Sequence, residues 1–303
     1  ATGTTKIHLM DFSQLVNHPF FYPGAALFMV GLLFKIAAFP FHSWTPDVYT
    51  GAPTAVVGFM GTGSKMAAFI TLSTFMYHAV PHADHRLPYL IAALALSSMI
   101  YGNVVAVQQT NIKRMLAFSS IAHTGYLLLG VLSGPLGYMS VVFYMIIYTF
   151  MTVGAFGIIA AVEKKEEDNE LENWKGLGLR QPVLGAAMSI FMFSLAGMPP
   201  LAGFMGKYSI FVSAIKADVI IGSILGILTS VIGAYYYLRV IVYMYFLKPD
   251  QEPTESVLPA GRGTLAGAVI LSLVLLVLGV FPSLVFRYLD IFTSVDGLMT
   301  FGR

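Results

Sequence analysis

Eight apolar runs, each close to the length of a membrane-crossing helix, divide this chain from end to end. A bilayer core of roughly 30 Å takes about 20 residues of helix. Stretches of that kind fall at about 21–41, 53–79, 88–107, 115–133, 138–162, 182–214, 219–247 and 263–286. Between them only 163–181 and 248–262 are long and polar enough to be substantial loops. Just 11% of the residues are charged and 57% are hydrophobic, whereas soluble domains average about 25% charged. Too little polar surface exists to cover a water-soluble globule, so lipid must be the solvent over most of the protein. The expected fold is all-α, a polytopic transmembrane bundle of about eight helices forming one membrane domain over residues 1–303.

Charge sets the topology. With the N-terminus outside, the inside loops hold Lys113, Arg114, Lys164, Lys165, Lys175, Arg180, Lys248 and Arg262, with Arg239 near the same side. Outside positions hold Lys6, Arg86, Lys216, Arg287 and Arg303. The bias puts both termini on the outer face, periplasmic in a bacterium. The opening ATGTTKIHLMDFSQLVNHP is polar and turn-rich, and reads as a loop from the middle of a longer protein. A net charge of +2, with no basic patch interleaved with aromatics, gives no sign of nucleic-acid binding. The absence of cysteine excludes thiolate-ligated iron–sulfur clusters in this chain.

Two runs carry helix breakers, the first at its end and the sixth at its centre. The first reads FKIAAFPFHSWTPDVYTGAPT, with Pro40, Pro46 and Pro53; the sixth carries Gly197, Pro199, Pro200 and Gly203. Proline removes an N–H and clashes with the preceding turn, so both helices should be discontinuous. Broken helices in corresponding places of two repeats point to a transport site. The pattern fits an internal repeat without proving one.

Against this apolar background Lys35, Lys65 and Lys207 stand inside membrane segments. A charged lysine at mid-bilayer costs about 2.5–3.5 kcal/mol even on permissive scales. Desolvation favours the neutral amine, and an amine so poised can take up and release protons. The alternative is snorkelling, which suits Lys35, five residues before Pro40, better than Lys65 or Lys207. No carboxylate lies at comparable depth, so an acidic partner is expected outside this chain. His123, flanked by Ser119, Ser120, Thr124 and Tyr126, is either a proton carrier or a histidine bonded across helices. Tyr144 and Tyr148, one turn apart, either extend a polar path or simply pack.

Other polar features read more plainly. His42 is expected as a cap or interface residue, and EKKEEDNELEN as a solvated loop. His78, His82 and His85 with Asp84 suit a solvated loop better than a metal site, and no metal ligand set is assigned. GFMGTGSK lacks the Gly-Lys-Ser/Thr ending of a P-loop and lies within an apolar helix, and GLGLRQP does not complete a dinucleotide fingerprint.

FKIAAFPFHSWTPDVYTGAPT followed by GTGSKMAAF resembles the signature of the antiporter-like membrane subunits of NADH–quinone oxidoreductase, respiratory complex I. Those subunits are similar to proteins of Mrp-type sodium/proton antiporters. NVVAVQQTNIKRMLAFSSIAHTGYLLLG, SLAGMPPLAGFMGKYSIF and GAYYYLRVIVYMYF extend the likeness along the chain. WTPDVYTGAPT with lysine at 65 resembles the subunit N branch; the L, M and Mrp branches typically carry histidine in that helix.

The resemblance implies that the chain matches the last eight helices of a longer antiporter-like fold with inverted repeats. It also implies that Lys35, Lys65 and Lys207 are central-axis lysines and His123 a family histidine, all in a proton relay. Lys35 would exchange protons with a glutamate outside this chain, Lys65 would pass them on, and Lys207 would gate an exit. The implied activity is proton translocation coupled to quinone reduction elsewhere. No cofactor is assigned to this chain, since NADH, FMN, iron–sulfur clusters and quinone would belong to other subunits. The implied partners are other membrane-arm subunits, antiporter-like ones among them, the lipid bilayer and protons. The implied place is a bacterial inner membrane, crossed many times. Two alternatives stand beside this reading: an Mrp-type cation/proton antiporter subunit, and a structural membrane subunit with no active proton path.

Overall fold

The computed structural model describes residues 12, 18–79, 86–163, 169–248 and 261–287. Among them the chain is helical throughout, with one isolated bridge, Asn111 to Glu170, in place of any sheet. The all-α membrane bundle expected from the sequence is the observed fold. Among the described residues six helical spans are long and apolar enough to cross a bilayer, Thr54–His78 among them, and Phe21–Ile36 and Pro182–Ala196 are shorter apolar helices.

The first expected span is broken. Helix α1, Phe21–Ile36, stops at Ala37 in the left-handed conformation, and α2, Trp44–Gly51, resumes beyond Pro40. The sixth breaks alike: α9, Pro182–Ala196, stops at left-handed Gly197, and α10, Ala202–Lys216, resumes beyond Pro200. In both, the left-handed residue stands three residues before the proline beyond which the helix resumes. Each stop is closed by the paired N–H bonds of a left-handed cap: Ala38 to Leu33 at 2.9 Å and Met198 to Phe193 at 3.0 Å. This matched pair supports the internal repeat.

The second span holds an interruption that its sequence did not announce. Helix α3, Thr54–Met60, gives way to α4, Gly63–Ala79, across Gly61 and Thr62. Thr62 N–H bonds Phe59 carbonyl at 3.2 Å, a tightened turn, while its hydroxyl bonds Gly58 carbonyl at 2.8 Å. The remaining spans run nearly as expected: α5, Arg86–Gln108; α6, Ile112–Leu132; α7, Pro135–Val162; α11, Ile220–Phe246; α12, Arg262–Val280. Between α7 and α9 come a 3₁₀ turn, Leu171–Trp174, and α8, Leu177–Arg180.

Helix α6 is the axis of the bundle, buried along almost its whole length, whereas α12 is peripheral. Its sequence SSIAHTGY explains the placement, because a stripe of hydroxyls and an imidazole is tolerated in lipid only when neighbouring helices satisfy it. Close approach of α5 makes this possible. A Cβ on Gly125 would lie 2.6 Å from Ala95 carbonyl, and one on Gly102 would lie 2.5 Å from Ala122 nitrogen.

Candidate functional site

The polar residues of the core gather around α6. Lys65, in the first turn of α4, is 2% exposed. Its Nζ donates to Ser120 Oγ at 2.6 Å and makes longer bonds to Ser120 carbonyl and Thr124 Oγ1, both at 3.4 Å. Thr124 Oγ1 in turn donates to Ile36 carbonyl at 2.7 Å. That carbonyl belongs to the last residue of α1, so the amine reaches the end of the first half-helix through one hydroxyl.

Lys207, on α10, is 5% exposed. Its Nζ donates to Ala196 carbonyl at 3.0 Å, at the end of the half-helix α9, and to Ser230 Oγ on α11 at 2.9 Å. It also stands over the Tyr126 ring, 5.2 Å from the centroid. Neither amine takes part in the ion pairs among the described residues.

His123 lies between the two lysines. Its Nδ1 bonds Tyr144 hydroxyl on α7, and its Nε2 bonds Tyr237 hydroxyl on α11 at 2.9 Å. Tyr237 hydroxyl also meets Ser119 Oγ. A neutral imidazole donates from one nitrogen and accepts at the other. The chain Tyr144–His123–Tyr237–Ser119 can therefore carry its hydrogens in either of two opposite senses. A branch toward Lys207 follows: Tyr236 donates to Asn103 Oδ1 at 3.0 Å, and Asn103 Nδ2 donates to Tyr126 hydroxyl at 2.9 Å. Ring contacts, not hydrogen bonds, join the remaining steps. Tyr148 sits 5.1 Å from the imidazole, and Tyr236 packs on Tyr237 at 4.4 Å.

Of the residues singled out in the sequence, Lys65, Lys207, His123, Tyr144 and Tyr148 are brought together in this buried network. Lys35 is not: its side chain is exposed on the last turn of α1, next to Ile36. His123 is bonded across helices, which both readings of it require. His42 is no cap; it is buried between Phe39 and Tyr101, at ring distances of 5.2 and 4.6 Å. His82, Asp84 and His85 lie outside the described residues, and His78 stacks on Phe12. Among the described residues no group of three or more His, Asp or Glu could hold a metal.

Sequence reading missed Asn103, Ser230, Tyr236 and Tyr237. The run Tyr235–Tyr236–Tyr237 in α11 held the signal, since Tyr235 faces out at 58% exposed while its two neighbours are 1% exposed. It also missed a second cluster. Lys113, counted as a loop charge, is 2% exposed and paired with Glu163 at 3.1 Å. Thr54 and Asn169 also bond that carboxylate. The acidic run is thus not simply a solvated loop: Glu163 anchors its start, and Leu171 and Trp174 are buried at its end.

Comparison with known proteins places this geometry. The family model for the transmembrane region of NADH:quinone oxidoreductase and Mrp antiporters matches residues 1–233. NADH-quinone oxidoreductase subunit N of Salinibacter ruber is 44% identical over 295 residues, covering 93% of this chain and 58% of that protein. Subunit N of Trichlorobacter lovleyi is 47% identical, covering 95% of this chain and 60% of that protein. The chain thus spans about three-fifths of the length of these curated relatives. A chain of respiratory complex I from Thermus thermophilus with bound aureothin superposes with a TM-score of 0.77 at 35% identity, covering 93% of this chain and 65% of that one. A chain of the Mrp complex from Dietzia sp. superposes at 0.78 with 23% identity, covering 90% of this chain and 60% of that one, a likeness of fold alone. Over most of its length, this chain belongs to the NADH:quinone oxidoreductase/Mrp antiporter family of membrane proteins.

Proposed function

We propose that the chain acts as a subunit N-type membrane subunit of NADH–quinone oxidoreductase and carries protons across a bacterial inner membrane. Quinone reduction elsewhere in the complex would drive it. The observation that carries the reading is the pair of buried amines, Lys65 and Lys207, held among the described residues by neutral oxygens and a ring. A lysine kept for packing would be paired with a carboxylate or would reach the surface. Each of these instead faces the carbonyl end of a broken half-helix, and the polar links around His123 lie between them.

On this reading a proton held on Lys65 passes to the Ser120–Thr124 hydroxyls and then to the His123–Tyr144–Tyr237 group. Water along the lining that Asn103 and the Tyr126 ring supply would carry it on to Lys207. Two states of the complex that stabilise the charged amine differently would drive the transfer in one direction. Lys35, exposed beside the end of α1, would meet an acidic side chain from outside this chain. Other membrane-arm subunits would be the partners, and the redox centres would lie in other subunits. Lysine at position 65, where the Mrp branch typically carries histidine, favours this reading over a cation/proton antiporter.

The test is Lys65→Met and Lys207→Met, each made in the full-length subunit within the assembled, liposome-reconstituted complex. Each variant is expected to assemble and to lose most of the acid gradient formed on NADH addition. Undiminished proton pumping in both would refute the proposal and leave a structural subunit.

A further inference from the structure

Helix α12 is peripheral, yet it comes against bare backbone at the break that ends α9. Its buried residues, Ala268, Ser272, Leu275 and Leu278, recur at helical spacing along the face that packs on α7, α9 and α10. Gly279, four residues beyond Leu275, continues that face. A Cβ there would lie 2.0 Å from Pro200 carbonyl oxygen, 2.6 Å from Leu201 carbonyl carbon and 2.7 Å from Ala202 nitrogen. All three are backbone atoms, so no side-chain rotation could relieve the overlap. Gly279 is not among the glycines with a left-handed backbone, so space and not conformation calls for glycine here. Gly267, on the same helix, has nothing within 4 Å of the place a Cβ would take.

The segment so approached joins the two halves of the Lys207 site. Helix α9 ends at Ala196, whose carbonyl accepts from Lys207 Nζ at 3.0 Å, and α10 starts again at Ala202 to carry the lysine. Between them the lysine stem lies along Gly197, where a Cβ would meet Lys207 Cδ at 3.0 Å. The half-helices are also tied to each other. Ser194 Oγ accepts from Gly203 N–H at 3.1 Å, which satisfies one of the free amides that open α10. A Cβ on Gly203 would lie 1.8 Å from Ser194 carbonyl oxygen. The break is thus held by α12 from outside and by Ser194 from within. Any shift of Pro200–Ala202 moves the start of α10, and Lys207 with it, relative to Ala196 carbonyl.

We propose that Gly279 and Ser194 are positioning residues for Lys207. Gly279 seats α12 on the backbone of the break, Ser194 ties its two halves, and together they fix the spacing between Ala196 carbonyl and the lysine amine. Neither residue bonds the amine, so each acts only through the break. The inference deepens the proton-carrying reading of Lys207 and rests on it.

The test is Gly279→Ala and Ser194→Ala, each made in the full-length subunit of the assembled complex, with Gly267→Ala as the control and Lys207→Met beside them. The first adds a methyl group where backbone stands; the second removes one hydroxyl and adds nothing. The readout is protons pumped per NADH oxidised in liposomes, followed as a function of pH. A role in packing alone lowers the assembled fraction, and pumping and NADH oxidation then fall together, so the ratio and its pH profile stay parental. Positioning predicts a several-fold lower ratio and a displaced profile for both variants, and parental values for Gly267→Ala. The titratable groups around Lys207, namely Tyr126 and His123 on α6, Tyr144 on α7 and Tyr236 and Tyr237 on α11, are left in place by both substitutions. Parental values in either assembled variant, with Lys207→Met inactive, overturn the positioning and leave the proposed function standing. Parental pumping in Lys207→Met overturns both. The same displacement in Gly267→Ala also overturns the positioning, since any added methyl on α12 would then do as much. Should Gly279→Ala fail to assemble, Ser194→Ala decides alone: a displaced profile upholds the proposal and a parental one overturns it.

Discussion

Glu163→Gln isolates the energetics of the cluster that ties α3, α6 and α7 together. The carboxylate is 17% exposed and accepts from Lys113 Nζ at 3.1 Å, from Asn169 Nδ2 at 2.7 Å and from Thr54. Lys113, at 2% exposed, has Thr54 Oγ1 at 3.1 Å as its other partner. The amide keeps the shape but removes the charge, leaving an ammonium buried among neutral groups. Removing one partner of a buried pair costs about 3–5 kcal/mol. Partial exposure of the carboxylate argues for the low end, about 3 kcal/mol. Lys113→Met should cost less, about 1–2 kcal/mol, because the carboxylate left behind keeps Asn169, Thr54 and some solvent. The double variant loses both charges at once, so it should be less destabilised than the sum of the singles by about 2 kcal/mol. The assay is the melting midpoint and assembled fraction of the complex in nanodiscs, for parent, both singles and the double at neutral pH. Additive losses would refute the pairing, as would a Glu163→Gln variant as stable as the parent.

The same cluster sets an acid limit. Burial pushes the Glu163 carboxyl up, but hydrogen bonds from Thr54, Asn169 and Lys113, with the lysine charge, outweigh it and hold the group below its ordinary value of 4.5. A carboxyl lowered on folding stabilises fully above its unfolded value and loses that contribution as pH falls through the folded one. The melting difference between parent and Glu163→Gln should therefore be constant from about pH 6 to 8 and shrink only below the ordinary carboxylate range; a difference that titrates near neutrality would contradict this. At the same end of the bundle, Arg239 reaches from α11 to Val107 carbonyl at 2.9 Å and to Gln109 carbonyl, where α5 ends. Arg239→Met should lower stability by about 1–2 kcal/mol, and Arg239→Lys should recover only part of it, since a point ammonium cannot hold two carbonyls in a fixed fork. Equal melting of the lysine variant and the parent would show that charge alone suffices.

What the sequence disclosed and what it hid divide along a physical line. The spans and both proline breaks were legible because lipid admits so few backbone solutions, and Pro40 and Pro199–Pro200 remove bonds that a straight helix needs. Lys65 and Lys207 were legible because a charge in an apolar run stands out. Tyr236, Tyr237 and Tyr49 were not, because a tyrosine in a membrane helix suits lipid, interface or core equally well, and only tertiary packing decides which way its hydroxyl points. Lys113 was misread for the opposite reason. It stands beside Arg114 at a helix start, where a charge ordinarily belongs to the loop, and its burial depends on Glu163, fifty residues away. The turn at Gly61–Thr62 escaped because neither residue forbids a helix. What favours glycine there lies outside the segment, in the Tyr49 hydroxyl that a Cβ would meet at 2.7 Å.

The two lysines meet the same device in unequal ways, and the inequality bears on their order of action. Both half-helices end with a left-handed residue, and the carbonyl just before it accepts from Lys207 in one and from the Thr124 hydroxyl in the other. The negative end of the peptide dipoles gathers there. Lys207 bonds that carbonyl directly, so its amine leaves only if its own side chain swings away or the end of α9 moves. Lys65 is held by Ser120 and Thr124, and the threonine alone touches Ile36 carbonyl. Those hydroxyls can turn about one bond without any backbone motion. Along the proposed path, Lys65 is therefore built to exchange its proton readily with several neighbours. On that proposed path Lys207 would keep its proton until a helix end shifts, as an exit gate would require.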